Sequence, residues 1–193
     1  MADDRVNPRT TAAPPSFRAL TEATQSDWVG IVRADNAFAK GLPDWLLGHM
    51  TLLESGCHGF AIDRLQHCLQ TETRAFRAGE DEEYVTCALV HDIGVILAPA
   101  NHAEFGALIL RPFISAQNYW MLHHHGIFQG YYFNHFLGAD CNARERFRGH
   151  PHFEYTAHFC HQFDQAAFDP NYDTMPLKAF EPMVRKTLAA RKR

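Results

Sequence analysis

The sequence predicts an all-α fold, a helical bundle with a metal site between its central helices. Three observations carry that expectation. Apolar residues recur at the spacing of a helix face, as at Leu65, Leu69 and Phe76. No stretch keeps up the two-residue alternation of strands over several segments. Among the helical stretches stand 13 histidines, in an order that suits ligation from several helices at once.

Residues 1–16, which include Ala12-Ala13-Pro14-Pro15, lack apolar periodicity and read as a mobile leader, leaving residues 17–193 as a single helical domain. Ser26-Asp27 can cap a first helix that runs through Lys40 and ends at Gly41. Pro43 can open a second reaching about Glu54, and Gly56 and Gly59 mark a loop. A third helix fits Asp63 to Ala78, with Leu65, Leu69 and Phe76 inward, His67 on or beside that side, and Gly79 as the stop. Asp81-Glu82-Glu83 put carboxylates at the start of a fourth, which runs into His91-Asp92. Pro99 and Asn101 precede a fifth carrying His102 and Ala107-Leu108-Ile109-Leu110. Pro112 and Ser115 introduce a sixth that leads to His123-His124-His125. Further helices are expected near residues 142–148, 152–166 and 178–190.

Composition narrows the function classes. The chain of 193 residues can bury a sizeable core, and a second catalytic domain is not expected. A net charge of -4 with scattered Lys and Arg offers no basic stripe for a phosphate backbone, so nucleic acid is excluded as a partner. The 5 cysteines form no CxxC pair, which points away from a disulfide framework or thiolate zinc and towards a reduced, cytoplasmic protein. No apolar run approaches the roughly 20 residues of a membrane helix, and no signal peptide is expected.

The chemistry centres on His91-Asp92. This pair closes the apolar helical stretch Tyr84-Val85-Thr86-Cys87-Ala88-Leu89-Val90, where a charged Asp is costly unless something compensates it, and a cation is the simplest partner. Around it the candidate ligands are His67, His102, the run 123–125 and Asp164. His67 lies 24 residues before His91, so the two meet only if separate helices pack face to face. Four residues, His67, His91, Asp92 and Asp164, suffice for one ion. His102 and His125 would supply a second, with Asp92 as the bridge. Successive helical residues differ by about 100°, so the run 123–125 divides into a ligand, a substrate-side group and a solvent-facing group. Imidazole and carboxylate donors suit iron, manganese or zinc alike.

The segments Asp63-Arg64-Leu65-Gln66-His67-Cys68-Leu69-Gln70-Thr71, Ala88-Leu89-Val90-His91-Asp92-Ile93-Gly94, Asn101-His102-Ala103-Glu104-Phe105-Gly106-Ala107 and His124-His125-Gly126 resemble the HD-domain superfamily. Within it they look most like the mixed-valent di-iron oxygenases, the branch of myo-inositol oxygenase and the phosphonate-cleaving HD-domain oxygenases. The match covers roughly residues 55 to 170. The resemblance implies an HD-domain helical bundle with one iron on His67, His91, Asp92 and Asp164 and the other on Asp92, His102 and His125. The implied catalytic pair is Asp92 with His91, the implied cofactor an Fe(II)/Fe(III) pair, and the implied cosubstrate O2. Four positions depart from the oxygenase pattern. Gln129 stands where a substrate-binding Lys is usual, Val95 where a basic residue is usual, and Cys57 and Phe60 where a Tyr and a Glu are usual.

The reaction implied is O2-dependent cleavage of the C–P bond in a small 1-hydroxyphosphonate, giving a carboxylic acid and phosphate. An amino or trimethylammonium group on the substrate would meet a cage formed by Phe128, Tyr131, Tyr132, Phe133 and Phe136, residues that can equally be core. Substrate contacts are sought at His124, Gln129, Tyr131, Arg144 and Arg148, with Arg146 a further candidate for anionic groups. The alternative is a metal-dependent HD phosphohydrolase acting on a phosphate ester or nucleotide. It would use His67, His91, Asp92 and Asp164 but leaves His102 and His125 without a reason. A non-catalytic HD-fold binding module is the third class.

Overall fold

A computed structural model describes residues 15–56 and 59–192; residues 1–14 of the expected leader, and Cys57, lie outside the described residues. Every regular element among the described residues is helical, and the fold is an all-helical bundle. By its contacts the chain divides into a unit that ends at Trp45 and a unit spanning Leu46–Arg193.

In the first unit α1 spans Gln25–Ala39, two residues earlier than a cap at Ser26 would place its start. Thr24 is the cap. Its side chain accepts from the Asp27 N–H, and the Asp27 carboxylate accepts from the Thr24 N–H, a reciprocal capping box. Asp27 therefore works three residues inside the helix instead of at its cap. α2, Leu42–Thr51, begins in this unit and continues into the second, where a 3-10 turn, Leu52–Ser55, carries the chain to the expected limit.

The second unit follows the sequence closely. α3 spans Arg64–Arg77, capped by Asp63 through the Gln66 N–H and stopped at Gly79, whose φ of 84° suits glycine. α4 spans Glu82–Val90 behind an Asp81 cap; α5 spans His102–Leu110; α6 spans Ala116–Gln129 behind a Ser115 cap. A 3-10 turn at Ala143–Phe147 replaces the helix expected there. The next expected helix is split into α7, Phe153–Phe159, and a π-helical turn, Cys160–Asp164. α8 spans Leu177–Ala189.

α4 is the centre of this unit. Each residue from Tyr84 to Val90 is buried, as fits a helix that is apolar all round, and α3 and α8 pack directly against it. Leu65 and Leu69 of α3 face inward as expected, but Phe76 is 39 % exposed and meets Phe180 edge-on. No described helix is long and apolar enough to cross a membrane.

One buried side chain works against this packing. Glu72 is fully buried on α3 and neither carboxylate oxygen has a hydrogen-bond partner among the described residues, so burial pushes its carboxyl well above the ordinary 4.5. A raised folded-state value means that the stability Glu72 contributes is fully present below the unfolded value and is lost as pH rises through the folded one. Glu72→Gln keeps the shape without the charge. It is expected to stabilise the protein near pH 8, with the gain vanishing towards pH 4.5 in urea unfolding. An equal gain at both pH values would contradict the assignment.

Candidate metal centre

Four helical elements bring their side chains to the end of α4. His67 comes from the second turn of α3. His91 is the residue after α4, and Asp92 leaves the helix at φ -101° and ψ 11°, the bridge conformation often found at active sites. Gly94 then lets α5 approach: a Cβ there would lie 2.7 Å from the His102 carbonyl oxygen. His102 opens α5 and His125 lies on α6. Asp164 ends the π-helical turn, a distortion that recurs at functional sites because it re-aims one side chain.

The two oxygens of Asp92 face different partners. Oδ2 lies 3.6 Å from His67 Nε2 and 3.7 Å from His91 Nε2; Oδ1 lies 3.2 Å from His102 Nε2 and 3.4 Å from His125 Nε2. Asp164 Oδ1 completes the first set at 3.2 Å from His67 Nε2 and 3.7 Å from His91 Nε2. His67, His91, Asp92, His125 and Asp164 are buried, while the His102 side chain is 27 % exposed.

Backbone carbonyls fix the tautomers. Nδ1 of His67 donates to the Ala167 carbonyl, that of His91 to Ala88 and that of His125 to Leu122, which leaves each neutral ring a bare Nε2 lone pair turned into the cluster. Two such lone pairs, on His67 and His91, are 3.1 Å apart. With both Nδ1 atoms protonated they repel unless a cation lies between them and the carboxylates. Burial pushes His91 down to about 4, so it stays neutral. Burial alone would raise both carboxyls. Both carboxyls nevertheless lie below the ordinary carboxylate value, Asp92 through the surrounding His91, His125 and His67 and Asp164 through His67, His91 and His125, and both stay ionised.

The donor set fits a divalent cation. Among the described residues His125 Nε2 and Asp164 Oδ2 are buried without a hydrogen-bond partner, a costly state that a cation would relieve. His67, His91 and Asp164 converge closely enough to hold one ion, and so do His91, Asp92 and His125. Nitrogen and carboxylate donors match iron, manganese or zinc.

The HD domain matches residues 64–165, more than half of the chain. This chain belongs to the HD-domain family. HD domains are usually metal-dependent enzymes, and the buried His/Asp cluster of this one is compatible with such activity. No curated protein matches the chain.

Of the residues considered for substrate contact in this HD domain, Gln129 alone touches the cluster: its Nε2 donates to Asp164 Oδ1 at 2.7 Å, so it orients that carboxylate. His124 is turned away, bonded to the Trp120 carbonyl and stacked on the Trp120 ring at 4.1 Å, and it is half-buried, like His123. Arg144 lies 3.6 Å over the Tyr131 ring, which occupies the face that a cationic substrate group would need. Arg148 is tied to Glu145 and Glu154, and Arg146 covers Phe147. The aromatic stretch after α6 is neither one core block nor one cage: Phe128 is buried, Tyr131 and Phe133 are 41 % exposed and Phe136 is 80 % exposed. Val95 lies in the turn after Asp92, and Phe60 stacks on Phe168, which in turn stacks on His67.

Sequence reasoning missed Arg64, whose Nη1 donates to Asp92 Oδ2 at 3.0 Å. The signal was present, since Arg64 and His67 are i and i+3 on one helix and share a face. Cys68 was also missed. Its sulfur bonds to the Asp92 backbone, and burial pushes the thiol well above its ordinary value, which leaves it neutral beside the cluster.

Chelator-stripped protein is expected to unfold at a higher temperature once Mn(II) is added. The gain is about 2.7 kcal/mol at a hundredfold excess over the dissociation constant. Asp92→Asn should remove most of the rise seen by differential scanning fluorimetry, and an unshifted wild-type midpoint would contradict the cation reading.

Proposed function

We propose that this HD-domain protein is an O2-dependent di-iron oxygenase that cleaves the C–P bond of a small 1-hydroxyphosphonate to a carboxylic acid and phosphate. One O2 accounts for the oxygen atom gained by carbon and the one gained by phosphorus. The supporting observation is the division of Asp92, one oxygen towards His67 and His91 and the other towards His102 and His125. Activation of water at a single ion would need only His67, His91, Asp92 and Asp164. It would leave unexplained two further imidazoles held within 3.4 Å of the second oxygen.

In this reading His67, His91 and Asp164 hold one iron with Asp92, and His102 and His125 hold the other with Asp92. The iron pair, when bound, supplies Lewis acidity and the electrons for O2 chemistry. The chain's own residues supply geometry. Carbonyl bonds from Nδ1 keep His67, His91 and His125 in one tautomer, and Gln129 and Arg64 hold the two carboxylates. His102 is the ligand with exposed surface, so substrate and O2 approach from its side. Apolar Cys68, Leu89, Ile93, Phe159 and Cys160 are buried around α4 and the π-helical turn and keep water from the closed side.

The substrate is a small molecule, without nucleic acid or membrane as partner, and the setting a reducing cytoplasm in which the buried thiols Cys68, Cys87 and Cys160 persist. With Arg144 on Tyr131, a cationic amino or trimethylammonium group is no requirement of this reading.

Protein loaded anaerobically with Fe(II) and given a panel of 1-hydroxyphosphonates is expected to release phosphate only after O2 is admitted. Phosphate released from nucleotides or phosphate esters, equally with and without O2, would replace this reading with the phosphohydrolase.

A further inference from the structure

Arg64 is placed in a way that holding a carboxylate alone does not explain. It sits one turn before His67 on α3, with its guanidinium 5.0 Å over the Phe60 ring and Nη1 on Asp92 Oδ2. That single bond uses one of five donors. Among the described residues no other hydrogen bond to the guanidinium is made, and the side chain is 18 % exposed, whereas Asp92 beside it is 4 % exposed. The group thus has free donors and some access to solvent at a cluster otherwise closed on that side.

Its surroundings form a built wall. Phe60 stacks on Phe168 at 4.9 Å and Phe168 on His67 at 4.4 Å, so an aromatic pile runs from the first imidazole to the ring beneath Arg64. Phe60 is 49 % exposed, an apolar surface left open next to the free donors.

A cation fixed beside metal ligands opposes the binding of metal through like-charge repulsion, and a protein that needed only to orient Asp92 could use a neutral donor. A guanidinium becomes favourable there when an anion completes the site, since its planar fork matches carboxylate and phosphoryl oxygens in pairs.

We infer that Arg64 is the substrate's anion-binding residue, with Phe60 as the apolar wall beside it. The substrate is then a compact oxyanion, phosphonate or carboxylate, whose hydroxyl reaches the cations while its anionic group meets the guanidinium. This rests on the reading of the His/Asp cluster as a cation site and adds the recognition of charge to it.

The test is equilibrium binding, without turnover. Wild type, Arg64→Gln and Arg64→Lys are loaded with Mn(II), their metal content is measured, and inorganic phosphate and acetate are titrated separately by calorimetry. Loss of one charge-assisted contact should weaken phosphate binding by about tenfold to a hundredfold in the Gln variant, with the Lys variant between it and wild type. Metal content in Arg64→Gln should equal or exceed that of wild type. A tighter hold on phosphate than on acetate in wild type, lost in the Gln variant, assigns the subsite to a phosphoryl group; the reverse preference assigns it to a carboxylate. Equal affinity in wild type and Arg64→Gln, or metal lost from Arg64→Gln, would overturn the inference and leave Arg64 only holding Asp92. A wild type that takes up no metal would overturn the cation reading itself, and the metal assay shows this before any anion is added.

Discussion

Asp92 is the constraint on which the centre depends. It is a carboxylate with almost no access to water, held ionised by imidazoles on both sides, and its two oxygens answer to different histidines. A buried charge of this kind is costly unless its surroundings are fixed. The surroundings are fixed: α4 is buried from Tyr84 to its end at Val90, so the turn that presents Asp92 cannot drift, and Gly94 allows the start of α5 to close over it. The tautomers are fixed as well, through three carbonyl bonds that leave lone pairs facing inward.

This arrangement explains why the ligand cluster could be read from the chain more easily than its periphery. Asp63, Asp81 and Ser115 are helix caps that announce themselves by type and position, and they set the register in which His67, His91 and His125 turn inward. Thr24 was displaced from its role in the reading by Ser26-Asp27 because a capping box uses an acidic residue inside the helix, and sequence alone does not separate the two uses. Phe76 reads as core on helical spacing, yet tertiary packing leaves it partly exposed.

The less legible part is everything that depends on long-range contact. The π-helical turn that aims Asp164 has no local signature, and without it the segment reads as one continuous helix. Arg144, Arg146 and Arg148 looked available to an anion, but Arg144 is taken by the distant Tyr131 ring, Arg146 by the adjoining Phe147 ring and Arg148 by Glu145 and Glu154. Arg64 was overlooked for the opposite reason. Its hydrogen-bond partner among the described residues, Asp92, is 28 residues away, and the i, i+3 spacing to His67 is the one local mark of its place. Side-chain chemistry at the centre follows from helix geometry, whereas the choice of substrate follows from contacts between elements.

The central claim is that Asp92 joins two cation sites, and the amount of metal bound per chain tests it most directly. Protein reconstituted with Fe(II) under argon, freed of excess metal and analysed by inductively coupled plasma mass spectrometry should carry two irons, and His102→Ala about one. A wild type that holds a single iron, or a His102→Ala variant with unchanged metal content, would contradict the account.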